Sequence, residues 1–91
     1  MTMGLQRRLL PSMSALSAFE AAARTGSFTA AAQELALTQG AISRQIKALE
    51  EQIRTPLFVR RDQRVTLTPA GESYAAEVRE ALHRVGAATL R

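Results

Sequence analysis

The segment 38–53 constrains the fold most strongly, because its large apolar residues recur with the period of a helix. At about 100° per residue, three of these side chains fall within about 40° of Ile42; they are Ile46, Leu49 and Ile53. One narrow apolar stripe predicts an amphipathic helix that packs along one side only. Thr38 is the expected cap, since its hydroxyl can accept the N–H of Gly40 or Ala41.

The opposite side of this predicted helix is polar, and its charges are not mixed. Short polar and basic groups lie between about 100° and 200° from Ile42; they are Gly40, Ser43, Arg44 and Lys47. Gln39 lies in the first turn, where side chains project from the helix end. Glu50 and Glu51 come only later. A merely solvated face more often mixes both signs throughout, so this pattern indicates a surface that binds a polyanion.

A first helix is expected after a mobile lead of residues 1–11. Ser12 or Ser14 can cap its N-terminus, and Gly26 can end it in the left-handed conformation. Its buried stripe recurs at helical spacing and consists of Leu16, Phe19 and Ala23.

A second, short helix is expected from the cap Ser27 through Leu35. Its predicted buried face is rich in small side chains, which allow two helices to cross closely; it consists of Phe28, Ala31, Ala32 and Leu35. Ala36 and Leu37 then form the turn into the third helix, and Leu37 is expected to point inward.

The hydrophobic period changes after Pro56. Two short β-prone runs, 57–59 and 65–67, flank a charged segment, 60–64, which predicts a hairpin with a basic tip. The side chains expected to close the core from this hairpin are Leu57, Phe58 and Leu67.

A last helix is expected from Pro69 to about Thr89, with Thr68 as its cap and the proline at the first helical position. Apolar residues recur along it at steps of three and four; they are Tyr74, Val78, Ala81, Leu82 and Val85. A helix about 30 Å long exceeds what so small a domain can cover. The stripe therefore suggests a dimerisation seam, while packing wholly on its own domain stays open.

Charge and composition narrow the function classes. Residues 1–68 hold nine basic and five acidic residues, whereas residues 69–91 hold three of each, so the whole excess precedes the last helix. With no cysteine, disulfides and thiolate metal sites are excluded. The single histidine, His83, has no acid partner at suggestive spacing, so an enzyme and a metal or cofactor site are not expected. Without a signal peptide or a membrane span, a cytoplasmic protein is expected.

Four pieces in a fixed order resemble the DNA-binding domain of LysR-type transcriptional regulators: FEAAARTGSFTAAAQEL, TQGAISRQIKALE, PLFVRR and LTPAG. The opening LPSMSALSAFEAAA is similar to the branch containing activators of glycine-cleavage and β-lactamase genes. The resemblance implies a mainly α fold with a small β-hairpin, a winged helix-turn-helix (12–68) followed by a linker helix (69–91). It also implies that the protein binds double-stranded promoter DNA at imperfect inverted repeats. The binding unit would be a homodimer formed through the linker helices, and the full-length protein would be a tetramer. A C-terminal domain that binds a small-molecule effector would be missing from this chain.

Three positions depart from that family pattern. Gly40 stands where many members have Pro, Ser or Ala, and a glycine lets the backbone approach closely. Arg54 stands where members usually have the glycine that stops the recognition helix. Either Arg54 adopts a left-handed conformation at a cost of ~1 kcal/mol, or the helix runs on. Ala36 poses the same question at the preceding turn.

The expected base contacts lie on the third helix, which is predicted to enter the major groove. Gln39 can pair with adenine or another base edge through its amide, and Ser43 and Arg44 should face bases or nearby phosphate. Thr38 and Gly40 belong to the same predicted DNA-binding surface, with Thr38 more a cap than a base reader.

The expected phosphate contacts come from three elements. Ser27 and Thr29 can donate at the start of the second helix, and Lys47 is expected to bind phosphate from the third. The hairpin arginines should reach the flanking backbone or the minor groove; they are Arg60, Arg61 and Arg64.

Two rival functions stay open at this point. A stand-alone winged-helix repressor would lack the effector domain, and gene length would decide. A helical dimerisation or protein-interaction module would explain the last helix but not the basic groups on one helix face and one hairpin tip. The operator, the target genes, the effector and the direction of regulation are not contained in the sequence.

Overall fold

Four helices and one hairpin make up the computed structural model, which describes residues 9–62 and 64–91. Their order is α1 (Met13–Thr25), α2 (Phe28–Leu35), α3 (Gln39–Ile53), β1 (Phe58–Arg61), β2 (Arg64–Leu67) and α4 (Pro69–Thr89). The strands pair antiparallel, with Phe58 opposite Leu67. The predicted mainly α fold with a small hairpin is confirmed. Of the predicted mobile lead, residues 1–8 lie outside the described residues.

Every helix begins at a hydroxyl side chain that accepts a hydrogen bond from an N–H of the first turn. The four capping oxygens lie 2.9–3.1 Å from the N–H three residues later and belong to Ser12, Ser27, Thr38 and Thr68. Such a bond satisfies one of the donors that a helix start leaves free. Of the two candidates for α1, the structure therefore selects Ser12.

Three helices end at a residue in the left-handed conformation. Gly26 ends α1 with φ 71°, Ala36 ends α2 with φ 57°, and Arg54 ends α3 with φ 58°. Glycine adopts this conformation freely, whereas Ala36 and Arg54 each carry a strain of roughly 1 kcal/mol. Helix α3 therefore ends at Arg54 and does not run on.

Small side chains fill the contact among α1, α2 and α3. Its buried members are Ala18, Ala21, Ala22, Phe28, Ala31, Ala32, Ile42 and Ile46, with Leu35 packed against them. The prediction that Leu37 points inward is wrong, because this side chain is 46% exposed. Leu37 closes the turn through its backbone instead, since its N–H donates to the Ala32 carbonyl at 2.9 Å.

A second apolar cluster joins α1, the end of α3 and α4 around Phe19, which is fully buried. Its buried members are Ala15, Phe19, Leu49, Leu57, Ala75 and Val78. Ile53 and Leu67 pack against it, and the ring centroids of Phe58 and Tyr74 lie 5.6 Å and 5.5 Å from that of Phe19. Leu57, Phe58 and Leu67 thus help to close the core, as predicted.

The first turn of α4 approaches the chain before the hairpin very closely. A Cβ at Gly71 would lie 2.1 Å from the Leu57 carbonyl oxygen, so only glycine fits. Thr68 also donates through its hydroxyl to the Pro56 carbonyl at 2.8 Å. Although α4 has 21 residues, no helix in the described part of the chain is long and apolar enough to cross a bilayer.

Candidate nucleic-acid interface

Three elements meet at one open groove on the surface. It is lined by Gly26, Ser27, Phe28, Thr29, Gln39, Arg60, Arg64 and Val65. The start of α2, the start of α3 and both hairpin strands therefore supply predicted DNA-binding residues to a single place. Of the α3 residues, Gln39 lines this groove. The polar and small residues on the side of α3 opposite its buried stripe are called the recognition face below; they are Gln39, Gly40, Ser43, Arg44 and Lys47.

A hydrogen bond joins the first turns of α2 and α3. The Thr29 hydroxyl donates to the Gln39 amide oxygen at 3.2 Å, and both side chains are exposed. Ser27, by contrast, accepts from the Ala30 N–H at 3.0 Å in its role as cap. The predicted Thr29–phosphate contact stays a prediction; in this structure the Thr29 proton is directed to Gln39.

A second hydrogen bond joins the hairpin to α3. The Arg60 guanidinium donates through Nη2 to Ser43 Oγ at 2.9 Å, and its Cζ lies 4.7 Å from the Phe28 ring centroid. The ring face attracts the cation and thereby favours this position. Arg60 was expected to reach outward to the flanking DNA backbone or minor groove, whereas in this structure it lies between β1 and the recognition face.

Arg44 and Lys47 are the exposed cations of the recognition face. A Cβ placed on Gly40 would lie 3.2 Å from Arg44 Nη1, so the guanidinium lies over the first turn of α3. A side chain at position 40 would therefore make the Arg44 guanidinium shift by a few tenths of an ångström. The glycine gives Arg44 space that Pro, Ser or Ala would take.

The hairpin tip presents two further cations. Arg61 and Arg64 face each other across the last pair of the ladder, and both are exposed. Asp62 follows with φ 49°, a left-handed conformation that aspartate tolerates in tight turns. Together with Thr66, these three residues line a shallow concavity at the tip.

Away from this surface, the basic groups of α1 and α4 are paired with acids. Arg24 bonds to Glu20 and Glu34, and its hydrogen bonds to these carboxylates raise its pKa above the usual value for arginine. Arg79 lies 3.9 Å from Glu20, and Arg84 lies 3.2 Å from Glu80. Among the described residues, the side-chain cations of α1 and α4 are thus paired with carboxylates, whereas Arg44 of α3 has no such ion pair.

Glu50 has a role that sequence reasoning missed. Its Oε2 accepts the N–H groups of Leu57 and Phe58 at 2.7 Å and 3.1 Å. The carboxylate therefore bonds the start of the hairpin and turns its negative charge toward the backbone. No local pattern signals this contact, because it depends on how the chain returns seven residues later.

The predicted dimerisation stripe is divided by the fold. Val78 is buried in the second apolar cluster, and Tyr74 and Leu82 are half-buried against it. Burial raises the pKa of the Tyr74 hydroxyl. Ala81 is exposed, and Val85 is 46% exposed. Tyr74, Val78 and Leu82 therefore pack on their own domain, whereas Ala81 and Val85 stay exposed.

Residues 13–72 match the sequence profile of the bacterial regulatory helix-turn-helix proteins of the lysR family. This chain belongs to the LysR family. The expected resemblance to LysR-type DNA-binding domains is confirmed.

Relatives of this LysR-family chain are transcriptional regulators. It is 46% identical over 80 residues to the glycine cleavage system transcriptional activator of Escherichia coli K12, which covers 88% of this chain and 26% of that protein. It is 43% identical over 81 residues to the transcriptional activator AmpR of Citrobacter freundii, covering 89% and 28%. The chain thus spans about a quarter of the length of these curated relatives.

The fold of this LysR-family chain also matches a structure solved on DNA. The crystal structure of the CbnR DNA-binding domain in complex with DNA superposes with a TM-score of 0.80 at 32% identity. The match covers 86% of this chain and 90% of that one. The winged helix-turn-helix arrangement is therefore the one that this family uses for its DNA-binding domain.

Proposed function

We propose that the chain is the operator-reading part of a longer LysR-type transcriptional regulator, with α3 in the major groove. One observation carries this proposal: α2, α3 and the hairpin direct donors and cations to one face, while the cations of α1 and α4 are paired with acids. Phosphate neutralisation would supply most of the affinity, and base-edge contacts the choice of sequence.

Each part of the surface has its own role in this proposal. Gln39, Ser43 and Arg44 contact base edges, because they lie on the exposed side of the first turns of α3. Lys47 and the α2 start at Ser27 contact phosphate. The wing contacts the flanking backbone mainly through its two outward cations, Arg61 and Arg64.

The domain plan is part of the same proposal. Residues 12–68 form the DNA-binding domain, and 69–91 form a linker helix that pairs with a second copy through Ala81 and Val85. The regulator would bind an imperfect inverted repeat as a dimer, or as a tetramer when full-length. A small-molecule effector would bind to a further domain, and the protein would act in the cytoplasm. The span of about a quarter of each relative supports the presence of further chain.

Selection of bound sites from random duplex DNA tests the reading function, with the mass of the complex measured alongside. We expect an inverted repeat whose half-sites share one motif and a complex that holds two chains. Sites without any common motif would contradict base readout, and one chain per repeat would contradict the dimer.

The matched variants Val85→Glu and Ala76→Glu separate dimer contacts from general charge effects. Both positions are exposed on α4, but only Val85 belongs to the apolar stripe. We expect Val85→Glu alone to convert two-chain complexes into one-chain complexes on single half-sites. Equal behaviour of the two variants would contradict pairing through this stripe.

A further inference from the structure

Two side chains of the recognition face form hydrogen bonds within the protein. These bonds determine which of their donors and acceptors remain free to contact DNA. An arginine side chain only donates, so in the Arg60–Ser43 bond the Ser43 oxygen is the acceptor. The hydroxyl proton of Ser43 has no acceptor among the described residues. Ser43 therefore uses one of its two lone pairs for Arg60 and keeps its hydroxyl proton to donate to DNA.

Gln39 is restricted in the same way from the other side. Its amide oxygen accepts the Thr29 hydroxyl at 3.2 Å, which directs that oxygen toward α2. The NH2 group keeps both protons, and within residues 9–62 and 64–91 neither proton is bonded. Gln39 therefore also offers donors to the groove.

The remaining groups add donors but no acceptors. Arg44 and Lys47 carry only N–H donors. Glu50, on the same helix, has one carboxylate oxygen bonded to the backbone N–H groups of Leu57 and Phe58. The side chains of the recognition face thus present a set of donors.

We propose that Thr29 and Arg60 are positioning residues that set Gln39 and Ser43 as donors, so that the recognition face selects guanine. Guanine is the base with two adjacent major-groove acceptors, O6 and N7. To read adenine, an amide must donate to N7 and also accept from N6. The bond from Thr29 takes one of the two lone pairs of the Gln39 amide oxygen and holds this oxygen toward α2. This inference rests on the proposed function and adds the class of base that the site prefers.

Thr29→Val tests the Gln39 half, because valine keeps the shape and removes the donor. When the 91-residue chain selects sites from random duplex DNA, we expect adenine to replace guanine at the base pair that Gln39 contacts. The expected change in relative affinity is roughly 5- to 150-fold, the discrimination of one bidentate contact. Thr29→Ser keeps the hydroxyl and should keep guanine. Thr89→Val, on the last turn of α4, is the control and should change nothing.

Arg60→Met and Arg61→Met test the Ser43 half with matched loss of charge. Each variant removes one wing cation and is expected to weaken binding on all sequences. Only Arg60→Met frees the Ser43 oxygen. Only this variant should therefore lower the relative affinity for guanine at the base pair that Ser43 contacts, by roughly 2- to 10-fold. A merely structural role of Arg60 would lower the melting temperature without changing base preference.

The possible failures are distinguishable. If the unmodified chain selects no motif, the proposed function fails and this inference fails with it. If it selects a motif but Thr29→Val and Arg60→Met select the same bases, only the positioning roles are overturned. Guanine in the unmodified chain's motif, lost in Thr29→Val and kept in Thr29→Ser, would establish the proposal.

Discussion

The two ends of α3 use polar side chains for different purposes. At its N-terminal end, here called the entrance, Gln39 and Ser43 form hydrogen bonds to side chains of α2 and β1 and keep other protons free to donate to DNA. At its C-terminal end, here called the exit, Glu50 accepts hydrogen bonds from the backbone N–H groups of Leu57 and Phe58. Arg54 ends the helix there in a strained left-handed conformation. The entrance therefore serves recognition, whereas the exit serves the fold.

One helix can thus divide its length between binding and stability. A carboxylate near a DNA surface would repel phosphate. The Glu50 carboxylate instead accepts two backbone N–H groups, which partly offset its charge and fix the start of the hairpin. We therefore expect substitutions at the exit to change the free energy of unfolding, and substitutions at the entrance to change the affinity for DNA.

Gly71→Ala should have the largest effect, because the added Cβ would overlap the Leu57 carbonyl beside the exit. We expect the free energy of unfolding to fall by about 3 kcal/mol in urea denaturation. Gly86→Ala lies on the same helix with nothing within 4 Å of the added Cβ, and it should stabilise the chain by up to about 1 kcal/mol. Similar effects of the two changes would contradict the close docking of α4.

Glu50→Ala should follow, because two part-buried backbone donors lose their acceptor. The expected loss in unfolding free energy is roughly 2–3 kcal/mol. Glu51→Ala, at the exposed neighbouring position, removes the same charge and should change stability by no more than about 0.5 kcal/mol. A loss in both variants alike would show that charge, not the backbone bonds, is responsible.

Arg44→Ala tests the entrance. Specific DNA binding should weaken by ~1–3 kcal/mol, measured by titration against competing random DNA. The free energy of unfolding should stay within about 0.5 kcal/mol, because Arg44 is exposed. Unchanged competition by random DNA would remove Arg44 from the reading residues.

Arg54→Gly should have the smallest effect and the opposite sign. Glycine adopts the φ of 58° without strain, so unfolding free energy should rise by up to ~1 kcal/mol. Arg54→Ala removes the same charge but retains a Cβ, so it should show no such gain. If glycine and alanine gave equal stability, strain at the exit would not be the cause.

Local rules explain which parts were predictable from sequence. Ser27, Thr38 and Thr68 were recognisable as caps because a cap depends on the next three residues, and the stripe of α3 followed from its period alone. Glu50, Arg60 and Leu37 were not, because their surroundings depend on segments that approach from elsewhere in the fold. Thr29 was recognised as a polar group at a helix start, but its bond to Gln39 depends on how α2 and α3 cross.

The division of the α4 stripe shows the same limit. Its spacing predicted one continuous apolar face, and sequence periodicity cannot tell how far along a helix its own domain reaches. Val78 falls within that reach and Val85 beyond it. The difference is a matter of domain size rather than of residue type.

The alanines between α1, α2 and α3 have a thermodynamic consequence. Alanine loses no side-chain rotational entropy on burial, so this contact fixes the helices relative to one another at little entropic cost. Long side chains could repack around several arrangements, whereas methyl groups at near-backbone distance allow few. The angle between α2 and α3 is therefore set before any DNA is met, and the domain can bind without first having to order its helices.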